Sequence, residues 1–272
     1  MNLINGKPSS SISIFDRGFL YGDGVFETIL VINKKLINFN LHVKRIKIGC
    51  ASLKIKNLNY TALNKFITKA LKDQNSCVLN ITITRGTAKK RGYNLNIGKV
   101  KPNIIISTSK IPNYPKKYNK EGVSTKFSKN ILENSNRFSK IKHLNRLEQV
   151  LASEELTKNN PEIILCDKDK FIVEGVASNI FFIKKNIFYT PPIENCGVEG
   201  IMRSVIISYL NKNKYNIKIS KIKKNNFKNY DGAFFCNSIR LIWNIKSIEN
   251  YKYKSNTHIH NLIKKINEDI HK

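Results

Sequence analysis

The run VFETILVI at positions 25–32 is dense in β-branched and apolar residues and predicts a strand. It follows a glycine-punctuated stretch, ISIFDRGFLYGDG. Asn33, Lys34 and Lys35 then predict a turn, with LINF returning as the hairpin partner. From Leu41 the spacing changes: Leu41, Ile46, Cys50 and Leu53 predict a helix that carries His42 and Arg45 on its first turn. A second helix is expected after Thr61, then a strand VLNITITR, a loop over 86–98 and a strand NIIISTS. KIPNYPKKYNK, with two prolines and several charges, reads as an interdomain linker.

Beyond it, VSTKFS is strand-like. In IKHLNRLEQVL (141–151) Asn145 is placed to accept a bond from the first N–H groups of a helix, and Glu148 to complete a capping-box-like start. Leu144, Leu147 and Leu151 share one face, so an amphipathic helix is expected from Asn145 onward, with Lys142 in the extended segment leading into it. EIILCDKDKFIVEGVASNIFFIKKNIFYTPP predicts successive antiparallel strands with turns at 167–170 and 184–186. IMRSVIISYL predicts a helix opening directly after Gly200, AFFCNSIRLIWNI a strand–turn–strand unit, and the C-terminus a short helix. No repeat relates the halves. The expected fold class is α+β, in two domains with mixed or antiparallel sheets. Residues 1–110 would form a smaller N-terminal α+β domain, 111–118 the linker, and 119–272 a larger C-terminal domain that contains Lys142.

Composition narrows this picture. The chain has 272 residues, 41% hydrophobic and 25% charged, which is a globular balance with length enough for a real core. No apolar run approaches a membrane span, and MNLINGKPSS lacks the apolar centre of a signal peptide; the cysteine usage fits a reducing cytosol, so a cytoplasmic location is expected. Cys50, Cys77, Cys166, Cys196 and Cys236 are scattered, odd in number and never in a C-x-x-C pair, which disfavours a disulfide framework or a zinc site. The histidines, at 42, 143, 258, 260 and 271, make no metal-ligand pattern either. The net charge of +29 raises a nucleic-acid hypothesis. Against it, the lysines are spread along the chain among Asn and Ile rather than gathered into a stripe. Arginine stands only at 17, 45, 85, 91, 137, 146, 203 and 240, positions where a guanidinium fork would be used deliberately.

Four features converge on a phosphate-bearing, amine-linked cofactor. Gly200 opens a helix whose first N–H groups and dipole form an anion site, or it is simply a cap. Arg45 is a fork for phosphate, or half of an ion pair. Glu174 lies within the apolar strand FIVEGVASNIF and needs a partner if buried, or it faces water at a strand end. Lys142 is an amine held in a pocket, or a solvated surface residue.

With FDRGFLYGDGVFET, HVKR, KHLNRLEQVLA, EGVASNIF and GIMR taken together and in order, the chain resembles the fold-type IV pyridoxal-phosphate enzymes, from about residue 3 to about residue 248. That group contains the branched-chain aminotransferases, the D-amino-acid aminotransferases and the aminodeoxychorismate lyases. The resemblance implies pyridoxal 5'-phosphate as cofactor, Lys142 as the residue that links it covalently, Arg45 on its phosphate and Glu174 on its ring nitrogen. It also implies a phosphate cup at Ile201, Met202, Asn237 and Ser238. Many relatives have Thr where Met202 stands, so here only the backbone N–H can serve, which leaves Ser238 as the hydroxyl donor.

Substrate choice rests on finer features. D-amino-acid aminotransferases place R-x-H after RGT to hold a substrate carboxylate; here the loop reads RGTAKKRGYN, with Arg91-Gly92-Tyr93 in that place. This ending, KHLNRLEQ and CNSIRLIWNI look like the 4-amino-4-deoxychorismate lyases. The resemblance thus implies loss of pyruvate from 4-amino-4-deoxychorismate, with 4-aminobenzoate as the product used for folate synthesis. Lys142 would be the base and Thr28, otherwise a plain strand residue, a helper in protonating the leaving group. Arg91, Tyr93 and Arg146, with Arg240 as a further possibility, would face the substrate. A homodimer is implied as well, with no metal, no specific nucleic acid and no membrane partner. The alternatives are a D-amino-acid or branched-chain aminotransferase, and, remotely, a basic nucleic-acid-binding module.

Overall fold

Strand Gly24–Ile32 forms where β-branched residues are densest, and its alternation buries Val25, Glu27, Ile29 and Val31 on one face. It pairs antiparallel along its length with Cys77–Thr84, which pairs antiparallel with Asn103–Ser109. Asn2–Ile4 and Lys7–Pro8 extend one side, and Lys35–Leu36 the other, into a six-stranded antiparallel sheet. In the hairpin turn Asn33 and Lys34 take φ of 49° and 64°, the left-handed pair of a two-residue loop. Helices Phe39–Ser52 and Tyr60–Leu71 supply Ile46, Cys50, Leu63 and Ile67 to a core with Ile29, Leu79 and Ile81. The first of these helices starts ahead of the expected Leu41, and Asn59 caps the second through the Ala62 N–H.

The computed structural model describes residues 1–94, 100–133, 137–254 and 257–269. The expected loop over 86–98 therefore lies partly outside the described residues. Contacts divide the chain into two units, Met1–Pro112 with Ile141–Asn145, and Asn113–Lys140 with Arg146–Lys272. The expected domain division places Lys142 in the C-terminal domain. Its segment instead groups with the first unit because it adds to the edge of the strand Gly24–Ile32. The Phe26 N–H donates to the Lys142 carbonyl (2.9 Å), the Leu144 N–H donates to the Gly24 carbonyl (3.0 Å), and His143 bridges Val25.

In the second unit a seven-stranded sheet runs Ile217–Ile219, Ile187–Thr190, Asn179–Lys184, Gly232–Asn237, Leu241–Ile248 and Tyr251–Lys252, with Val123–Thr125 parallel to Leu241–Ile248. A four-stranded sheet runs Ile222–Lys223, Phe171–Gly175, Ile164–Asp167 and Phe127–Leu132. Phe127, Ile164 and Ile172 of the smaller sheet pack with Phe182, Phe235 and Trp243 of the larger. On another face of the larger sheet, helices Ile201–Lys212 and Thr257–Asp269 cover Phe181 and Phe234.

Three expectations change. VSTKFS is two strands in different sheets, with Lys126 at the switch. FIVEGVASNIF, expected as one strand, is two, Phe171–Gly175 and Asn179–Lys184, which lie in different sheets. The expected linker is partly structured: Lys116–Lys120 is helical, and Tyr114 and Tyr118 pack their rings on Trp243 at 5.0 and 5.2 Å.

The capped helix at 145 is also revised. Asn145 donates its amide to the Gly22 carbonyl (3.1 Å), and Glu148 accepts the Glu133 N–H (2.9 Å), so neither caps. The helix is Leu147–Ser153, preceded by Arg146, and Leu147 and Leu151 are 75% and 53% exposed. Among the described residues no helix is long and apolar enough to cross a membrane, and no cluster of His, Cys, Asp or Glu is arranged to hold a metal ion.

Candidate active site

In the first unit Lys142 lies across from Phe26 on neighbouring strands. Its Nζ stands 4.1 Å from the centre of the Phe26 ring, a cation–π distance. Thr28, two residues along the same strand, shares that face and is half-buried. The lysine is thus tied to the strand through its own carbonyl and the Leu144 N–H and is backed by an aromatic ring.

Glu27 points to the opposite face and is 1% exposed. Its carboxylate receives Arg45 through two parallel bonds, Nε to Oε1 (2.6 Å) and Nη2 to Oε2 (2.7 Å), while His42 Nδ1 lies 2.6 Å from Oε2. Burial pushes the Glu27 carboxyl up, but the hydrogen bonds and charges of Arg45 and His42 more than offset it and hold the group below its ordinary value. Arg45 and His42 are one helical turn apart on Phe39–Ser52, which lets both reach one acid. Sequence reasoning missed Glu27. Its signal was parity: it alternates with Val25, Ile29 and Val31, which marks a carboxylate on a buried face.

Arg91 and Tyr93 are exposed, Tyr93 at 84%, on the loop after Thr84. Their backbone is held by Arg17 and Tyr21 of the FDRGFLYGDG stretch.

In the second unit Glu174 is 4% exposed, and its Oε2 accepts the Val198 N–H (2.9 Å) and the Asn179 amide (3.3 Å). The strand-end alternative, a carboxylate facing water, does not hold. Asn179 also donates to the Val198 carbonyl (3.0 Å) and crowds Gly200, where an added Cβ would stand 1.9 Å from its Oδ1. Gly200 opens the helix Ile201–Lys212 with no side-chain cap. Met202 is buried in the core, so only its backbone can face a ligand. Arg203 ties the helix start to the Thr190 hydroxyl (3.3 Å) and the Pro191 carbonyl (3.0 Å).

The Asn237 side chain is committed to its own turn. Its Oδ1 accepts the Ile239 and Arg240 N–H groups (2.9 and 2.7 Å), and its Nδ2 donates to the Ala177 carbonyl (2.9 Å). Ser238 sits inside that turn. Arg240 donates to Glu162 and stacks over Trp243 at 4.7 Å, a structural placement where the sequence had allowed a substrate contact. Arg146 stands at the start of the helix Leu147–Ser153.

The donor chemistry fits pyridoxal phosphate. The first unit holds a lysine amine beside an aromatic ring and an arginine fork bonded to Glu27, and the second an uncapped helix start and a buried carboxylate, donor types that such a cofactor uses.

Residues 24–248 match the model of the family described as amino-transferase class IV, and the chain belongs to that family, whose members depend on pyridoxal phosphate. Among individual relatives, the chain is 29% identical over 238 residues to an aminodeoxychorismate lyase of Vibrio harveyi, covering 87% of each. It is 32% identical over 215 residues to a D-alanine aminotransferase of Staphylococcus epidermidis, covering 75% of this chain and 73% of that one. The crystal structure of a 4-amino-4-deoxychorismate lyase from Pseudomonas aeruginosa superimposes with a TM-score of 0.92 at 28% identity, over 99% of this chain and 98% of that one.

Proposed function

We propose that this chain is a pyridoxal-phosphate-dependent lyase that converts 4-amino-4-deoxychorismate to 4-aminobenzoate and pyruvate, for folate synthesis. The observation that carries the reading is the likeness to the Pseudomonas lyase over nearly the whole chain. The Arg91-Gly92-Tyr93 sequence, which replaces the R-x-H of D-amino-acid aminotransferases, supports it.

When bound, the cofactor supplies an electron sink for the charge left as a proton departs from the carbon bearing the substrate amine. Lys142 would hold the cofactor, and its amine would take that proton; the Phe26 ring and the paired backbone hold the residue in place. The bond from the neighbouring carbon to the enolpyruvyl oxygen then breaks, and Thr28, on the same strand face, assists protonation of the leaving group. Glu174 would keep a proton on the ring nitrogen. Arg45, the Ile201 and Met202 N–H groups, the Asn237 backbone and the Ser238 hydroxyl would hold the phosphate. Arg91, Tyr93 and Arg146 receive the substrate carboxylates. The reading extends to a cytoplasmic homodimer with a small-molecule substrate and neither nucleic-acid nor membrane partner.

A second reading, D-amino-acid aminotransferase, is favoured by the 32% identity to the Staphylococcus relative. Mixing the purified protein with aminodeoxychorismate separates the two. Equal release of 4-aminobenzoate and pyruvate supports the lyase, whereas activity confined to D-alanine with a 2-oxo acid supports the aminotransferase.

A further inference from the structure

The loop that would present Arg91 and Tyr93 to substrate is gripped at its centre. Gly92 sits at φ 143°, a conformation that favours glycine, and both of its peptide groups are bonded to the short helix Arg17–Tyr21. The Gly92 N–H donates to the Tyr21 hydroxyl (2.9 Å), and Arg17 Nη1 donates to the Gly92 carbonyl (2.7 Å). Arg17 Nη2 reaches the Tyr93 carbonyl at 3.5 Å, and the Tyr21 and Tyr93 rings lie 5.2 Å apart.

The grip is itself anchored. The Arg17 side chain is 5% exposed, its Nε is bonded to Asp23 Oδ2 (2.9 Å), and its guanidinium lies 5.0 Å over the Tyr21 ring. Asp23 is held in turn by Arg85 through Nε (2.7 Å) and Nη2 (2.9 Å). Asp16 starts the helix by accepting the Gly18 and Phe19 N–H groups, and its other oxygen accepts from Thr84 and Asn103. A buried guanidinium with its back to a fixed carboxylate can aim two donors at a loop with little freedom to lose. The side chains on either side of the grip, Arg91 and Tyr93, point out to solvent.

We propose that Arg17 and Tyr21 are positioning residues: they clamp the Gly92 backbone so that Arg91 and Tyr93 are presented in one geometry, and they set substrate affinity through that loop without touching substrate. This rests on the lyase reading for its substrate, but the clamp has a readout of its own. Pre-ordering a binding loop lowers the cost of ordering it on binding, so loosening it raises KM and leaves the chemical step alone.

The test uses Tyr21→Phe, which keeps the ring and removes the acceptor for Gly92, and Arg17→Lys, which keeps the charge beside Asp23 and removes the fork. With aminodeoxychorismate, Tyr21→Phe should raise KM about fivefold, the factor one hydrogen bond commonly carries, with little change in kcat. In parallel, trypsin should cut the Arg91–Gly92 bond several-fold faster in both variants, because the bonded Gly92 N–H must lift away, while cutting elsewhere in the chain keeps the parent rate. Parent-rate cutting at Arg91 in Tyr21→Phe overturns the clamp, and faster cutting with an unchanged KM overturns its role in affinity. A parent protein with no lyase turnover sinks the functional reading instead, and the cutting rates still decide the clamp.

Discussion

Around the candidate site residues the two units fix their polar groups by different means, although the second unit also holds the buried pair Arg240–Glu162. In the first, buried carboxylates sit in ion pairs, Glu27 with Arg45 and His42, and Asp23 with Arg17 and Arg85. In the second, the Glu174 oxygen takes bonds from a backbone N–H and an amide, the helix start at Gly200 offers bare N–H groups, and Asn237 shapes its own turn. Charged pairs aim side chains over long sequence distances, and the Glu27 pair responds to acid. The backbone and amide donors of the second unit carry no charge that acid can remove, and at Gly200 they leave no room for an added atom.

The largest effect is expected at the reacting amine. Lys142→Ala should abolish both the visible absorbance of bound cofactor and nearly all turnover, since link and base are lost together. Borohydride reduction and peptide mapping of the parent should place the pyridoxyl label on Lys142. A label on another lysine would remove that residue from the account.

Next comes the charged pair. Glu27→Gln leaves Arg45 and His42 facing a neutral amide and should cost about 3–5 kcal/mol of folding stability. Because the folded-state carboxyl is held below its ordinary value, its contribution is present above about pH 4 and is lost as the pH falls through the lowered value. Denaturant melts should therefore show a flatter loss of stability in acid for Glu27→Gln than for the parent. Parallel curves would mean that the pair does not set the acid response.

The smallest effect belongs to the backbone cradle. Gly200→Ala places a Cβ against Asn179 Oδ1 and should displace an amide that bonds both Glu174 and the Val198 carbonyl. About 1–3 kcal/mol is at stake for two such bonds. That loss should appear as faster cofactor dissociation across the whole pH range, in contrast to Glu27→Gln, and a pH-dependent loss would blur the distinction between the units.

The same contrast explains what was legible in the sequence. Local patterns carried the strands Gly24–Ile32, Cys77–Thr84 and Asn103–Ser109, and the helix after Gly200, because alternation and helical spacing are short-range signals. Lys142, Arg45 and Glu174 were singled out from their surroundings and the family resemblance, and the structure shows a fixed, a paired and a buried side chain at those positions. Their partners were harder to see. Glu27 meets Arg45 across 18 residues, and Arg17 grips Gly92 across 75. No local pattern encodes such pairings. The helix at 145 failed for a related reason: Asn145 and Glu148 have good capping chemistry, but Gly22 and Glu133, distant in sequence, take their side chains. Local propensity yields to a tertiary partner when both compete for one group.

The central claim, elimination rather than amino transfer, is tested most directly by counting turnovers with no 2-oxo acid present. A transaminase leaves its cofactor aminated after one half-reaction and needs an acceptor to continue. A lyase regains its starting form as the aromatic amine departs. The account expects many turnovers of aminodeoxychorismate per protein, giving 4-aminobenzoate and pyruvate in equal amounts. A single turnover that stalls and resumes on addition of 2-oxoglutarate would contradict it.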